Sequence, residues 1–408
     1  MPLEKMLAAT ALGFATICAT AEAQTLVKFA SLPAATFESG PTSGQLITAA
    51  NGVPVPFTGQ QPVQGFSSIL RTSNGDFLAM SDNGFGAKAN SADYVLRVYR
   101  IDPDFRTAQG GSGVISVESF IELSDPEDLI PFPIVAEMTN YPGTTIPVDA
   151  RIQAQRLLTG GDFDIESMRM AHDGTLWFGD EFGPFLLHTD AEGRLLEAPI
   201  SLPGVISPDN PLAAPGSATI GSSRGFEGMA ISPDGKTLYP MLEGTLRTDP
   251  DPLRLIISEF DVRTSSYTGT QWSYRLERAG NAIGDLTAVT KDLFLVIERD
   301  NAQGAAAAFK RIYLVDLRQV ENGYLVKYPV ADLLNIADED QLGAGTTSGT
   351  FTFPFQTIES VIPLGQREIG ILNDNNFPFS SGRTAGQADN NEFIVIRLDR
   401  PLVNYATR

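Results

Sequence analysis

Residues 164–181 read DIESMRMAHDGTLWFGDE, and this stretch decides the fold class. Two short runs of apolar, β-branched and aromatic residues flank Asp173-Gly174, a dipeptide typical of tight turns between antiparallel strands. The stretch therefore predicts a β-hairpin. Its first strand starts beside Glu166, seven positions before the turn, and its second strand ends at Asp180 and Glu181. Both free ends of the hairpin thus carry carboxylates.

The same unit recurs four more times along the chain. The interval from the first landmark of the hairpin to its turn is seven residues in all five copies, at positions 67–74, 166–173, 227–234, 285–292 and 359–366. Further strand-like runs follow most of the copies. Four short strands in each of several repeats are the pattern of β-propeller blades.

The repeats predict an all-β fold, a single β-propeller with five legible four-stranded blades. An early strand at residues 25–30 could complete the last sheet and close the ring. A sixth blade has room in residues 36–64 or 124–163, which are otherwise insertions. No linker separates further domains, so we expect one propeller domain over residues 24–408.

The amino terminus has the pattern of a secretory signal peptide. A charged start is followed by an apolar run over residues 6–18 and then by Ala-Glu-Ala, which predicts cleavage after Ala23. The run is shorter than the ~20 residues that cross a bilayer. We therefore expect residues 1–23 to be a leader and the protein to be periplasmic or secreted. The one cysteine of the chain lies in this leader, so the mature chain offers no disulfide or thiolate ligand.

The composition argues against two classes of partner. The 408 residues include 49 acidic and 29 basic side chains, which gives a net charge of −20 at pH 7. Nucleic acids and anionic membranes bind basic surfaces, so we expect neither as a partner. The acidic surplus favours cations, or a polar ligand held through cations. We expect a monomer that acts on a small molecule.

The geometry of a hairpin brings the acidic landmarks together. The start of its first strand and the end of its second lie at the same end, so in a propeller these positions surround one mouth of the central channel. Hard oxygen ligands without cysteine favour Ca²⁺, with Mg²⁺ or Mn²⁺ as alternatives. The other interpretation is a solvated acidic rim without an ion. The predicted metal ligands are Asp82, Glu166, Asp180, Glu227, Asp285, Glu298, Glu359 and Asp374.

Four further residues at the same mouth are the predicted catalytic groups: Glu181, Glu243, Arg224 and Arg299. Either glutamate could act as a general base if it does not bind the metal. Arg224 immediately precedes a first strand, and Arg299 lies at the end of a second strand. Both could bind a phosphate or carboxylate group, or form salt bridges with the neighbouring acids. Both histidines fall away from the mouth, so a Ser-His-Asp triad is not expected.

Five motifs occur in order along the chain: Asp164-Ile165-Glu166-Ser167, Gly179-Asp180-Glu181-Phe182-Gly183-Pro184-Phe185-Leu186, Arg224-Gly225-Phe226-Glu227-Gly228, Glu298-Arg299-Asp300 and Asn373-Asp374-Asn375-Asn376-Phe377-Pro378. Together they resemble the phytase-like family described by "esterase-like activity of phytase". The resemblance implies an exported bacterial β-propeller that hydrolyses phosphate or related esters with Ca²⁺. β-Propeller phytases surround calcium-bridged phosphates with several basic residues, whereas this mouth has chiefly two arginines. A simple phosphate monoester or diester is therefore at least as suitable a substrate as phytate.

The sequence leads to three hypotheses about function. The first is an exported, metal-dependent phosphoesterase, a phytase-like hydrolase whose acidic site lies at the channel mouth. The second is a metal-dependent lactonase or carboxylic esterase, because such propellers also hold a central cation with oxygen ligands. The third is a ligand-binding propeller without enzymatic activity, in which the calcium site is structural.

Overall fold

The computed structural model describes residues 24–72 and 74–406. The predicted signal peptide, residues 1–23, lies outside the described residues. Strands dominate these two ranges, and the helices within them are the 3₁₀ segments Val135–Glu137, Gly304–Ala306 and Leu402–Asn404 and one α-helix, α1 (Ala150–Gln155). This helix begins where the side chain of Asp149 accepts a hydrogen bond from the backbone N–H of Arg151.

Most of the described strands are arranged in five four-stranded blades, and a single pairing of Ser31 with Val114 joins the outer strands of blades 1 and 5. Before the first sheet come β1 (Thr25–Leu32), β2 (Phe37–Ser39) and β3 (Gln60–Pro62). Blade 1 contains β4 (Phe66–Arg71), β5 (Phe77–Ser81), β6 (Arg97–Asp104) and β7 (Val114–Glu122). Blade 2 contains β8 (Ile165–Met170), β9 (Leu176–Asp180), β10 (Phe185–Thr189) and β11 (Ile200–Ser201). Blade 3 contains β12 (Phe226–Ile231), β13 (Thr237–Leu242), β14 (Arg254–Asp261) and β15 (Ser266–Arg275).

The second half of the chain completes the set. Blade 4 contains β16 (Ala282–Ala288), β17 (Leu293–Arg299), β18 (Lys310–Glu321) and β19 (Tyr324–Asp332). Two short strands follow, β20 (Ile336–Ala337) and β21 (Thr350–Phe351). Blade 5 contains β22 (Thr357–Pro363), β23 (Glu368–Asp374) and β24 (Asn391–Arg397), and its outer strand is β1.

The ring is closed in two ways. The amino-terminal strand β1 pairs antiparallel with β24, from Thr25 opposite Arg397 to Leu32 opposite Asn391. The first strands of the blades also contact one another in a complete cycle, β4 to β8 to β12 to β16 to β22 and back to β4. The prediction of an all-β propeller closed by an amino-terminal strand is confirmed.

Neither candidate region for a sixth blade contains one. Within residues 36–64 the structure has only the two-stranded sheet of β2 and β3, and within residues 124–163 it has one 3₁₀ segment and α1. Both regions are insertions that leave the five-membered cycle of inner strands intact. The described residues therefore make five blades.

The blades pack against one another through apolar faces. Trp177 and Leu186 of blade 2 share a fully buried cluster with Phe226 and Met229 of blade 3. Every residue of β17 is buried, including its two charged ones, because β17 lies between neighbouring sheets on both sides. Burial of apolar surface contributes about 25 cal/mol per Å², so these interfaces fix the positions of the inner strands.

One irregularity recurs near the start of every inner strand. The register of the pair formed by the first and second strands slips by one residue, which leaves one unpaired residue per blade. Such a bulge bends the strand and redirects a side chain. The unpaired residues, which we call the bulge positions, are Ser67, Glu166, Glu227, Gly284 and Glu359.

The fourth blade differs from the alignment that the sequence predicts. The seven-residue interval matched Asp285 to Glu166, but the register places Gly284 at the bulge position. In the other blades the third residue after the inner strand is the Asn, Asp or Gln used as the turn landmark. In blade 4 the third residue after the inner strand is Lys291, and the landmark used in the sequence alignment is the next residue, Asp292. Counting back seven residues from Asp292 therefore gives Asp285 instead of the bulge residue Gly284.

Candidate functional site

A second set of equivalent positions lies beside the bulges. In each blade, the residue just before the bulge pairs with a residue of the second strand, and the residue that follows this partner is here called the exit position. The exit positions are Asp82, Glu181, Glu243, Arg299 and Asp374. Seven of the ten bulge and exit positions therefore carry a carboxylate, and one carries an arginine. All five blades contribute to this acidic centre, and its side chains are buried.

Two overlapping triads of carboxylates come close enough to share a cation. Asp164, Glu166 and Glu181 each offer an oxygen such that the three oxygens lie within 4.8 Å of one another. Glu181, Glu227 and Glu243 do the same. We call these the first and second triads, and Glu181 belongs to both. Asp164 is not among the ligands predicted from the sequence, although it stands two residues before Glu166 in the same motif.

Burial disturbs the ionisation of these acids. Loss of solvent, followed by repulsion from Asp180 and Glu359 among its neighbours, raises the pKa of Asp164 to about 7. Burial also raises the pKa values of Glu166 and Glu181 well above their usual range, with neighbouring carboxylates adding to the effect. Keeping these carboxylates ionised without a metal therefore destabilises the folded state.

Several of these oxygens have no hydrogen-bond donor. Among the described residues, Oδ1 of Asp164 and Oε1 of both Glu181 and Glu227 are buried without a hydrogen-bond partner, and of the three only Oε1 of Glu227 has an arginine nitrogen within 4.0 Å. Buried carboxylates normally accept hydrogen bonds, because an unsatisfied charged oxygen costs several kcal/mol. Binding of a proton or a cation would satisfy such oxygens.

Arginines already compensate the second triad. Nη2 of Arg299 lies 2.9 Å from Glu359, 3.5 Å from Glu227 and 4.0 Å from Glu243. Arg299 is almost completely buried, whereas the Arg224 side chain is 43% exposed and forms an ion pair with Glu243. Both arginines thus make the salt bridges that the sequence analysis considered as one alternative.

The remaining exit acids lie at the edge of the centre. Asp82 accepts a hydrogen bond from the backbone N–H of Gly84, and Asp374 accepts one from the backbone N–H of Asn376. Their pKa values are raised by burial first, and then by Asp164 for Asp82 and by Asp82 for Asp374. The two acids are therefore electrostatically part of the centre, although each also stabilises a loop.

The structure does not bring Asp285 into this centre. Its Oδ1 accepts a 2.8 Å hydrogen bond from Nη2 of Arg169, which comes from blade 2, and its Oδ2 accepts one from the backbone N–H of Val361 in blade 5. Arg169 also donates to Oγ of Ser68 in blade 1. Since blades 2 and 4 are not neighbours, this buried pair bridges the central channel.

Glu298 and Asp180 are also occupied elsewhere. Glu298 is fully buried and accepts hydrogen bonds from the hydroxyl of Tyr274, the side chain of Asn281 and Nζ of Lys327. Asp180 accepts backbone N–H groups from Asp164 and Gly183. Of the eight predicted metal ligands, the structure gathers Glu166, Glu227, Glu359, Asp82 and Asp374 with Glu181 and Glu243, and it gives the other three separate partners.

A pocket of about 320 Å³ opens beside the centre. Arg224 and Glu243 form one wall, and Asn281 and Asn301 contribute amides. Leu276 adds an apolar surface. This pocket connects the solvent-exposed arginine with the second triad, so it is the approach for a small ligand that the geometry offers.

The architecture defines a class: a five-bladed β-propeller whose inner strands carry a buried carboxylate centre at one end of the channel. A model of the phytase-like family, described as "Esterase-like activity of phytase", matches residues 61–377. The chain therefore belongs to that family. A protein of Arthroderma benhamiae named "Uncharacterized secreted protein" is 25% identical over 183 residues, which is 36% of each chain. The chain thus spans about a third of the length of that relative.

Three solved structures match the chain at low identity. A luciferin-regenerating enzyme is 14% identical and has a TM-score of 0.36, over 82% of this chain and 78% of that one. A PQQ-bound aldose sugar dehydrogenase from Streptomyces coelicolor is 11% identical with a TM-score of 0.34, over 89% and 98%. The GH43 β-1,3-galactosidase BT0265 is 9% identical with a TM-score of 0.41, over 87% and 59%. Scores this low carry no information about function.

Within residues 24–72 and 74–406, no helix has the length and apolar character that a membrane span requires.

Proposed function

We propose that the protein is an exported, metal-dependent hydrolase of ester bonds, with phosphate monoesters or diesters as the leading substrate class. The observation that carries the proposal is the first triad. Asp164, Glu166 and Glu181 converge within 4.8 Å, are buried, and include two oxygens without any donor. Export is supported by the leader pattern and by the name of the fungal relative.

The residues of the first triad suit a hard divalent cation. All three ligands are carboxylates, which Ca²⁺, Mg²⁺ and Mn²⁺ prefer over softer metals. No lysine or arginine nitrogen among the described residues lies within 4.0 Å of them, in contrast to the second triad. A bound cation would polarise an ester oxygen of the substrate and stabilise the charge that develops there.

The residues around the cation site have roles that follow from their positions. Arg224 is exposed in the pocket wall and can orient an anionic group of the substrate. Glu243 lines the same pocket and lies outside the first triad, so it is placed to accept a proton from an attacking water. Asn281 and Asn301 can position uncharged oxygens of the substrate.

A carboxylic ester or lactone is the second candidate substrate. Both arginines near the centre are already paired with glutamates, so a dianionic phosphate would have to compete for them. A neutral ester needs no such exchange. If neither ester class is hydrolysed, a structural cation site in a ligand-binding propeller becomes the better account.

The experiment combines stability with turnover. The purified protein is stripped of metal, and Ca²⁺, Mg²⁺ or Mn²⁺ is added back. Thermal unfolding is followed together with hydrolysis of p-nitrophenyl phosphate, bis(p-nitrophenyl) phosphate and p-nitrophenyl acetate. We expect a cation to raise the melting temperature and to start hydrolysis of a phosphate ester.

Two variants test whether the first triad is responsible. Glu166→Gln removes one charge from it, and we expect both metal effects to disappear. Glu368→Gln, at the first residue of the second strand of blade 5 and outside the acidic centre, makes the same chemical change and should retain both. Hydrolysis of the acetate alone would favour the carboxylic esterase, and hydrolysis that is unaffected by metal would contradict the proposal.

A further inference from the structure

Blade 4 is the exception in the acidic centre. The exit position is a carboxylate in four blades but is Arg299 in blade 4, and the bulge position there is Gly284. No other blade lacks an acid at both positions. One sector of the ring therefore presents a guanidinium where its neighbours present carboxylates.

Steric crowding explains why the bulge position of blade 4 is the glycine Gly284. A Cβ atom at this position would meet the carbonyl oxygen of Ile358 in blade 5 well inside contact distance. The close approach of the two backbones leaves no space for any side chain at the bulge of blade 4. Arg299, on the adjacent strand of the same blade, is the side chain that enters this sector.

Arg299 lies where a second cation would otherwise be needed. Its Nη2 contacts Glu227 and Glu243, two of the three members of the second triad, and donates to Glu359 in blade 5. Its Nη1 donates to the side chain of Asn301 at 2.6 Å, which fixes the direction of the guanidinium. An arginine stays protonated at every pH at which the protein folds, so this positive charge is permanent.

The two triads therefore differ in their need for metal. The second triad has a built-in cation at 3.5 Å from Glu227, whereas the first triad has none. We propose that the centre binds a single exchangeable divalent cation, held by Asp164, Glu166 and Glu181, and that Arg299 permanently replaces a second one. The inference rests on the proposed function only in requiring that a cation binds, and it is tested by stoichiometry instead of turnover.

Calorimetric titration of the metal-free full-length protein with Ca²⁺, checked by elemental analysis of the dialysed complex, gives the number of sites. We expect one Ca²⁺ per chain. Asp164→Asn should weaken binding on the order of 100-fold, since it removes one of three charged ligands. Glu243→Gln makes a matched change in the second triad and should leave both the affinity and the single site largely unchanged.

Arg299→Gln provides the positive test. Loss of the guanidinium leaves Glu227 and Glu359 without an ion-pair partner, and only Arg224 still pairs with Glu243. This variant should therefore bind two Ca²⁺ per chain and depend on Ca²⁺ for its stability. Arg299→Lys retains a charge and should still bind one. If Arg299→Gln does not fold, the wild-type stoichiometry and the Asp164→Asn and Glu243→Gln pair decide the question.

Four results would overturn the inference: two sites in the wild-type protein, no site at all, equal loss of binding in Asp164→Asn and Glu243→Gln, or one site in folded Arg299→Gln. The absence of ester hydrolysis together with one Ca²⁺ per chain would refute the proposed function and leave the single-cation site standing.

Discussion

The channel-bridging pair of Arg169 and Asp285 allows a quantitative prediction. Both side chains are at most 3% exposed, and they join blade 2 to blade 4 across the centre of the ring. Arg169→Met removes the only cation in contact with Asp285 among the described residues and leaves a buried carboxylate without a counter-charge. Breaking a buried ion pair in this way costs about 3–5 kcal/mol.

The structure refines this figure. Arg169 also donates to the carbonyl oxygens of Met168 and Leu286 and to Oγ of Ser68, and all three of these hydrogen bonds are lost as well. Met168 and Ser68 keep the hydrogen bonds that they make to each other. Asp285 keeps the backbone N–H of Val361 as a partner, which moderates the cost. We therefore expect the free energy of unfolding to fall by about 4 kcal/mol, within the range for broken buried pairs.

A double-mutant cycle separates the pair from its surroundings. Urea unfolding of Arg169→Met, Asp285→Asn and the double variant should show that the double variant is at least about 1.5 kcal/mol more stable than the sum of the single effects predicts, because it removes both charges together. Arg263→Met, at an arginine whose side chain is 80% exposed, is the control and should change stability by less than about 0.5 kcal/mol.

The pH dependence provides a further check on the same pair. Burial raises the pKa of Asp285 above its ordinary value, and Arg169 lowers it in part. Without Arg169 the carboxylate should protonate more readily in the folded state, so the loss of stability in Arg169→Met should be smaller at pH 5 than at pH 8. Additive effects in the cycle, or a cost below about 1 kcal/mol, would refute the reasoning.

Two other predictions follow from the acidic centre and the ring. The acids of the centre have raised pKa values in the folded state, with Asp164 at about 7, so the metal-free native protein binds protons more tightly than the unfolded chain. The free energy of unfolding should therefore fall as the pH rises from about 4 to above 7, and Ca²⁺ should cancel that fall. Urea unfolding with and without a chelator measures both effects. A stability of the metal-free protein that rises over this interval would contradict the prediction. Gly284→Ala should lower the free energy of unfolding by more than about 2 kcal/mol, because its Cβ collides with the carbonyl of Ile358, whereas Gly365→Ala has open space and should change it by less than about 1 kcal/mol.

The fold was predictable because its signals are local. Each hairpin is marked by a turn dipeptide or turn residue between short apolar strands, and the repeat of that pattern indicates blades without knowledge of any contact. The closing role of β1 was also accessible, since the last repeat lacked an outer strand. The error in blade 4 was local too: Lys291 occupies the usual turn position there, and the alignment moved to Asp292.

The partners of the individual acids were not predictable in the same way. Arg169 reaches Asp285 only because the ring brings blades 2 and 4 to opposite sides of a narrow channel. The spacing of the two residues along the sequence does not predict this contact. Glu298 is neutralised by Lys327, which lies on the outermost strand of the same blade. Equivalent positions in a repeat can thus have the same residue type and different roles, and the neighbouring strands decide which role each one has.

The acidic centre itself argues for a function beyond folding. Native domains are stable by only about 5–15 kcal/mol, so a group of buried, mutually repelling carboxylates lowers the free energy of unfolding by a large part of that margin. The fold withstands this destabilisation because the acids are distributed over four blades that pack through apolar interfaces, and because Arg299 offsets part of the charge. If stability were all that mattered, the first triad would have a similar partner. Its carboxylates lack one, which is the condition in which a buried site retains affinity for a cation from outside.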